Sequence, residues 1–308
     1  MEKVVLGSRG SPLALWQVHY IQKELQRRFP KVNFPIEIIK TAGDQSPQRS
    51  PRKFGFVGIF TKALEDALAD SRIDAAVHSL KDVQTEINPA FSLAAILPRE
   101  NPADAFLSPH KIKFSELRFR ARLGTGSPRR IGQLGALGRE FEFIPMRGNV
   151  ETRIKKMETE GLDGIILAYA GLRRLNLVHH ISDLIPSKIC LPAPGQGTLV
   201  IEIRKKDEKT SKIVKALHDS KTAVCVGAER TFLKTLEGGC QIPIGALATI
   251  DPEGQLLLEG CLCSLEERIV LRSNLKGSVS KPELLGQQLA HVLLKIGGKK
   301  ILNEFHRQ

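Results

Sequence analysis

Two stretches of the chain, one at its start and one near its middle, share the same local grammar. That repetition limits the fold more than any other feature of the sequence. Residues 3 to 7, KVVLG, read as a short strand; the turn SRG follows, and Ser11 and Pro12 supply a helix N-cap and first helical position. The apolar residues Ala14, Val18, Ile21, Leu25 and Phe29 recur at spacings of three and four, which predicts an amphipathic helix that stops at Pro30. The same order returns in ARLGTG, Ser127, Pro128 and RRIGQLGAL. A second pair agrees with the first: IFTKALEDALAD leads to DAAVHS, and ETRIKKMETEG leads to DGIILAYA, each a helix, a turn and a buried strand. Alternating strands and helices predict α/β sheets, and a device built twice predicts two of them.

In each half one strand opens at its C-terminal end into polar or charged residues, SLKDV in the first and AGLRRL in the second. Ligands of open α/β sheets bind at such ends, where helix N-termini also point donors toward anions. Two such domains facing each other would make a cationic cleft, and the topology resembles the two lobes of periplasmic-binding-type proteins with mixed sheets. Pro- and Gly-punctuated crossings are expected at residues 97 to 102, LPRENP, and 191 to 197, LPAPGQG. From about residue 218 the pattern changes. A helix with Val224, Ala228, Phe232 and Leu236 ends at Gly238 and Gly239; PIGALATI, QLLLEGCLC and RIVLRSNL read as antiparallel strands, the first two joined by the turn Asp251 to Gly254. KPELLGQQLAHVLLKIGG reads as a packing helix. The expected division is therefore residues 1–97 with 198–215 for the first lobe, 103–191 for an arginine-rich second lobe, and 218–308 for a small α+β domain.

The chain has 308 residues, 42% of them hydrophobic, enough to bury several cores, and it lacks the long apolar run of a membrane span. The start, MEKVVLGSRG, turns polar before a signal-peptide core could form, so the expected location is the cytoplasm. A net charge of +13 implies an anionic partner. With one Trp and two Tyr, and arginines clustered at short motifs, the chain lacks the interleaved stacking aromatics of a nucleic-acid surface. Cys190, Cys225, Cys240, Cys261 and Cys263 have no paired spacing of a zinc site or disulfide framework, and His19 and His78 have no metal-ligand partner nearby. No metal is expected, and the absence of GxGxxG and GxxxxGK motifs disfavours nucleotide sites.

SRGSPLALWQ, DAAVHSLKDV, LGTGSPRR, RGNVETR, LAYAGLRRL, LPAPGQG and EGGCQIPIG occur in the order, and at separations similar to those, of the signature segments of porphobilinogen deaminases. The chain resembles that family along nearly its whole length. The resemblance implies an enzyme that condenses four porphobilinogen molecules head to tail, with loss of ammonia at each step, on a dipyrromethane cofactor attached by a thioether to Cys240. Its partners would be porphobilinogen and the growing polypyrrole, with no nucleic acid and no membrane, and the expected state is a monomer. Every condensation adds an acetate and a propionate, so the site must neutralise a growing polyanion. Arginine suits this, because its planar fork pairs with carboxylates and stays charged when partly desolvated. The resemblance places such arginines at Arg9, Arg129, Arg130, Arg147, Arg153 and Arg174, with further contacts from Ser11, Lys53, Ser79, Lys81, Thr125, Gly126, Ser127 and Gln196.

Asp82 is the expected catalytic group, a carboxylate at the mouth of a buried strand that can aid departure of the amine, stabilise the resulting cation and assist loss of the ring proton. Lys81, its neighbour on an extended strand, would point to the opposite face. Cys240 follows a helix C-terminus, where the dipole disfavours a thiolate; the family's strongly electrophilic attachment partner makes a modestly reactive thiol sufficient. The other cysteines read as small buried hydrophobes. Three positions depart from the family pattern: Val57 where a lysine is usual, Gly126 in place of a serine, and Gln84 in place of a proline. Residues 43 to 57 read as an exposed loop covering the cleft. Two rival readings are a basic nucleic-acid-binding protein and a non-catalytic anion-binding module.

Overall fold

A computed structural model describes residues 2–40, 61–236 and 242–306. The expected loop at 43–57, with Lys53 and Val57, and the Gly238-Gly239-Cys240 segment lie outside the described residues. The chain divides into two compact units: Met1–Glu100 with Thr198–Ala223, and Asn101–Gly197 with Val224–Gln308.

In the first unit the helix Pro12–Arg28 starts where Ser11 accepts a hydrogen bond from the Ala14 amide, at 3.3 Å. It buries Gln17, Val18, Ile21 and Leu25, while Ala14 and Phe29 at the ends of the expected stripe stay half-exposed. The helix lies on a five-stranded mixed sheet ordered Ile36–Ile38, Leu6–Ser8, Ala75–Ser79, Leu199–Arg204, Phe91–Ile96. The first three strands are parallel, and Leu199–Arg204 runs antiparallel to both of its neighbours. The stretch read as one strand at 3–7 is split: Glu2–Lys3 pairs with Val32–Asn33, and Leu6–Ser8 joins the main sheet. Leu64, Ala67 and Leu68 of the helix Lys62–Ala69 pack with Ile73, Ala76 and Phe91 in a second apolar cluster.

The second unit repeats this sheet. Its order is Glu142–Ile144, Arg122–Gly124, Gly164–Ala168, Asp104–Leu107, Asp183–Ile185, again three parallel strands followed by an antiparallel one. The predicted duplication is thus real in the backbone. One difference accompanies it: the antiparallel strand comes first in the chain here and last in the first unit. The same unit holds a three-stranded antiparallel sheet, Ile244–Ile250, Gln255–Cys263 and Val270–Ser278. Its first turn closes through the Asp251 amide to the Gln255 carbonyl at 2.9 Å, with Gly254 at φ +78°, a left-handed conformation that suits glycine. Two mixed α/β sheets with a small α+β part match the expected fold class.

Phe232, on the helix Ser220–Thr235, is fully buried, and Gly260 makes room for it: a Cβ at Gly260 would lie 2.5 Å from the ring. Gly286, in the helix Pro282–Leu293, lets that helix approach the first so closely that a Cβ would sit 2.5 Å from the Ala228 carbonyl. A ring pressed on the Gly260 backbone, from a helix that Gly286 lets its neighbour approach closely, leaves little room to collapse when removed. Phe232→Ala should therefore cost about 3–5 kcal/mol, read as a lowered midpoint in urea denaturation; a loss below about 1 kcal/mol would contradict this packing.

Candidate active site

In the first unit the strands Leu6–Ser8 and Ala75–Ser79 run parallel and adjacent, so their C-terminal ends lie side by side. Arg9 and Ser11 follow one end, and Ser79, Lys81 and Asp82 the other. Gln17 of the first helix donates to the Ser79 hydroxyl at 2.8 Å, locking helix and strand end together. The strand stops at Ser79, and Leu80–Asp82 forms a single 3-10 turn. The expected alternation of Lys81 and Asp82 across a strand therefore does not apply, since successive residues of a 3-10 turn differ by a third of a rotation. Buried Leu80 anchors the turn, its amide donating to the Thr198 carbonyl at 2.9 Å. Asp82 is exposed and takes no hydrogen bond or ion pair from the described residues. One residue before this turn's cap, His78 lies buried with its Nε2 3.1 Å from the Glu202 carboxylate, in keeping with a structural histidine.

In the second unit three parallel strand ends carry candidates. Thr125, Gly126 and Ser127 join Arg122–Gly124 to the helix Pro128–Gly135; Arg147 follows Glu142–Ile144; and Arg174 ends the short helix Tyr169–Arg174 after Gly164–Ala168. A Cβ at Gly126 would lie 3.0 Å from the Met146 carbonyl, so two of these loops come close and a side chain here requires one of them to shift slightly. Nothing in the structure explains Gln84. Arg147, Arg153 and Arg174 are half-exposed; Arg153 Nε donates to the Gly148 carbonyl at 2.8 Å, and Arg174 donates to the Gly197 carbonyl at 2.6 Å.

Arg129 and Arg130 sit differently, at 4% and 6% exposure inside the unit. Both clasp Asp104, a fully buried carboxylate: Arg129 Nη1 donates to one oxygen and Arg130 Nη2 to the other, each at 2.7 Å. Gln196 adds a third donor at 3.0 Å, while Arg129 reaches the Leu191 carbonyl and Arg130 the Ile166 carbonyl, each at 2.7 Å. Burial alone would raise the Asp104 pKa, but the two guanidiniums outweigh it and hold the carboxyl well below the usual range. Burial pushes the neighbouring Cys190 thiol up to about 12, so it adds no anion. One carboxylate faces two guanidiniums, and the enclosed Nε atoms of both arginines have no acceptor. A surplus cation with idle donors fits a group that carries carboxylates.

Sequence reasoning missed Asp104 and also Glu229, a fully buried acid on the helix Ser220–Thr235 that accepts from the Gly195 amide at 2.7 Å and the Ala248 amide at 2.8 Å. The only signal was a lone acid within each apolar stretch, ADAFL and CVGAERTFL. Cys190, Cys225, Cys261 and Cys263 form no disulfide and are buried, as small hydrophobes would be.

The described residues thus make an α/β protein whose strand ends carry arginines and an exposed carboxylate, with two further arginines buried on one acid. The model of the porphobilinogen deaminase dipyrromethane cofactor binding domain matches residues 4–212, and that of the porphobilinogen deaminase C-terminal domain matches residues 223–295. A porphobilinogen deaminase of Carboxydothermus hydrogenoformans is 44% identical over 99% of this chain and 98% of its own length. One of Moorella thermoacetica is 43% identical over 100% and 98%. The chain belongs to the porphobilinogen deaminase family.

Because Asp104 titrates below the ordinary carboxylate range when folded, its stabilisation is present above the unfolded pKa and is lost as pH falls toward the folded one. Asp104→Asn should destabilise the protein by about 3–5 kcal/mol at neutral pH. The gap to wild type should hold above about pH 4 and narrow below it. Urea denaturation at several pH values measures it, and a gap that widens on acidification would show that Asp104 is not held ionised.

Proposed function

We propose that this protein is a transferase, a hydroxymethylbilane synthase, that condenses four porphobilinogen molecules head to tail, with release of ammonia at each step, to give hydroxymethylbilane for haem and other tetrapyrroles. The observation that carries the reading is the free Asp82 carboxylate at a strand mouth in a chain of this family. A covalent dipyrromethane, attached through Cys240, supplies the pyrrole primer on which the chain grows. Arg129 and Arg130, with their idle Nε donors, suit its carboxylates, and Arg9, Arg147, Arg153 and Arg174 suit those of incoming porphobilinogen. Ser11, Lys53, Ser79, Lys81, Thr125, Gly126, Ser127 and Gln196 complete the proposed contacts.

Asp82 acts at two points. Its carboxylate opposes the positive charge that develops on porphobilinogen as the amine leaves as ammonia, through pyrrole N–H contacts. It then accepts the ring proton released after carbon–carbon bond formation. With no partner among the described residues, the carboxylate is available for both. We further propose the three-part division 1–97 with 198–215, 103–191 and 218–308, and a cytoplasmic monomer that binds neither nucleic acid nor membrane. Among the described residues no helix is long and apolar enough to cross a membrane.

The intact mass of the purified chain tests the reading directly. It should exceed the sequence mass by two linked pyrroles, and a chain of bare mass without synthase activity would favour a non-catalytic anion-binding module. Cys240→Ala should fold yet carry no covalent pyrrole and no activity; an adduct retained by this variant would place attachment elsewhere. Asp82→Asn keeps the side-chain shape and removes the charge, so turnover should fall by about 10² or more with folding preserved. Turnover near that of wild type would remove Asp82 from the chemistry.

A further inference from the structure

The turn Gly195-Gln196-Gly197 is short, buried and left-handed at both glycines, with φ +74° and +90°. Several buried connections of the second unit meet on it. Glu229 holds the Gly195 amide with one carboxylate oxygen, at 2.7 Å, and the Ala248 amide of the antiparallel sheet with the other, at 2.8 Å. Gln196 donates to the Pro102 carbonyl at 2.7 Å and to Asp104 at 3.0 Å, and Asp104 in turn carries Arg129 and Arg130. The Gly197 carbonyl accepts from Arg174 at 2.6 Å. Three of the proposed carboxylate-binding arginines are therefore tied, through three consecutive residues, to one acid on the helix that leads in sequence to Cys240.

Glu229 is unlike an ordinary buried acid, because it accepts from backbone amides of two separate parts of the fold, one on each carboxylate oxygen. Buried carboxylates are costly unless fully hydrogen-bonded, so a group placed here fixes those two backbones against each other within hydrogen-bond tolerance. We propose that Glu229 is a positioning residue for chain growth: it sets the register between the cofactor-attachment helix and the arginine cluster by clamping the Gly195–Gly197 turn. The proposal rests on the function given above. A primer fixed at one end has to present its growing end and its carboxylates to arginines that do not move. An error of about an ångström in that register is of the size that costs up to about a hundredfold in rate.

The test uses holoenzyme of confirmed intact mass. Glu229→Gln keeps the shape but turns an N–H donor toward one of the two amides. Gln196→Met removes the link to Asp104 without touching Glu229. Both variants should carry the covalent cofactor and fold. Both should show kcat reduced by about tenfold or more, with a smaller change in KM. Hydrogen exchange of the 193–198 amides should accelerate in both, while that of the Leu6–Ser8 and Ala75–Ser79 strands stays as in wild type. A merely structural role predicts lower melting temperatures with wild-type kcat in the folded enzyme, and that result would overturn the proposal. So would a slow Glu229→Gln enzyme beside a Gln196→Met enzyme of wild-type rate, because the turn would then not transmit the effect. If Glu229→Gln does not fold, exchange of the 193–198 amides in Gln196→Met decides: faster exchange together with a lowered kcat supports the proposal, and exchange as in wild type overturns it, because a lost ligand contact alone would slow turnover without loosening the turn. Wild-type protein lacking both cofactor mass and activity would instead overturn the functional reading.

Discussion

Asp104 is the point on which the second unit is organised. A carboxylate with no exposure survives in the ionised state only because two guanidiniums and a side-chain amide surround it, and the arginines are themselves held by main-chain carbonyls from two further segments. The cluster joins the strand Asp104–Leu107, the helix Pro128–Gly135, the Gly164–Ala168 strand and the segment ending at Leu191. An apolar contact could have bound these elements equally well. It would not have left a positive charge in the interior, and that charge makes a packed core attractive to a carboxylate-bearing group.

This arrangement divides labour among arginines that look alike in sequence. Arg129 and Arg130 are rigid and desolvated, so they interact strongly with any anion that reaches them, at the cost of accepting only one geometry. Arg147, Arg153 and Arg174 are half-exposed and keep contact with water, with Arg153 and Arg174 each also holding a main-chain carbonyl. The function proposed above would use both kinds.

Periodicity and punctuation made the fold legible. The Ser-Pro helix starts, the strand that ends in SLKDV and the Asp251–Gly254 turn all stand where spacing predicts, because each is decided by residues close in sequence. The charged residues at the strand ends pointed only to an anionic partner, and the expectation of carboxylates came from the resemblance to the family. What remained hidden depends on partners far away in the chain. Nothing near Asp104 or Glu229 announces that one will receive side chains from positions 129, 130 and 196, or the other amides from positions 195 and 248. The local geometry of Lys81 and Asp82 also escaped, since a 3-10 turn and a strand end are not distinguished by three residues alone.

The duplicated sheets differ in where their antiparallel strand comes from, and this bears on the order in which a growing polypeptide can acquire structure. The second unit's mixed sheet is complete once residues 104 to 185 exist, since all five of its strands lie in that interval. The first unit's sheet cannot close until Leu199 pairs with Ser79, so its parallel strands, although made first, await a strand made much later. Emerging from the ribosome, the middle of the protein can therefore be settled while its beginning is still an open edge. Closure of that edge then completes the sheet strand bearing Ser79 and, through the Leu80 amide on Thr198, fixes the turn that carries Asp82.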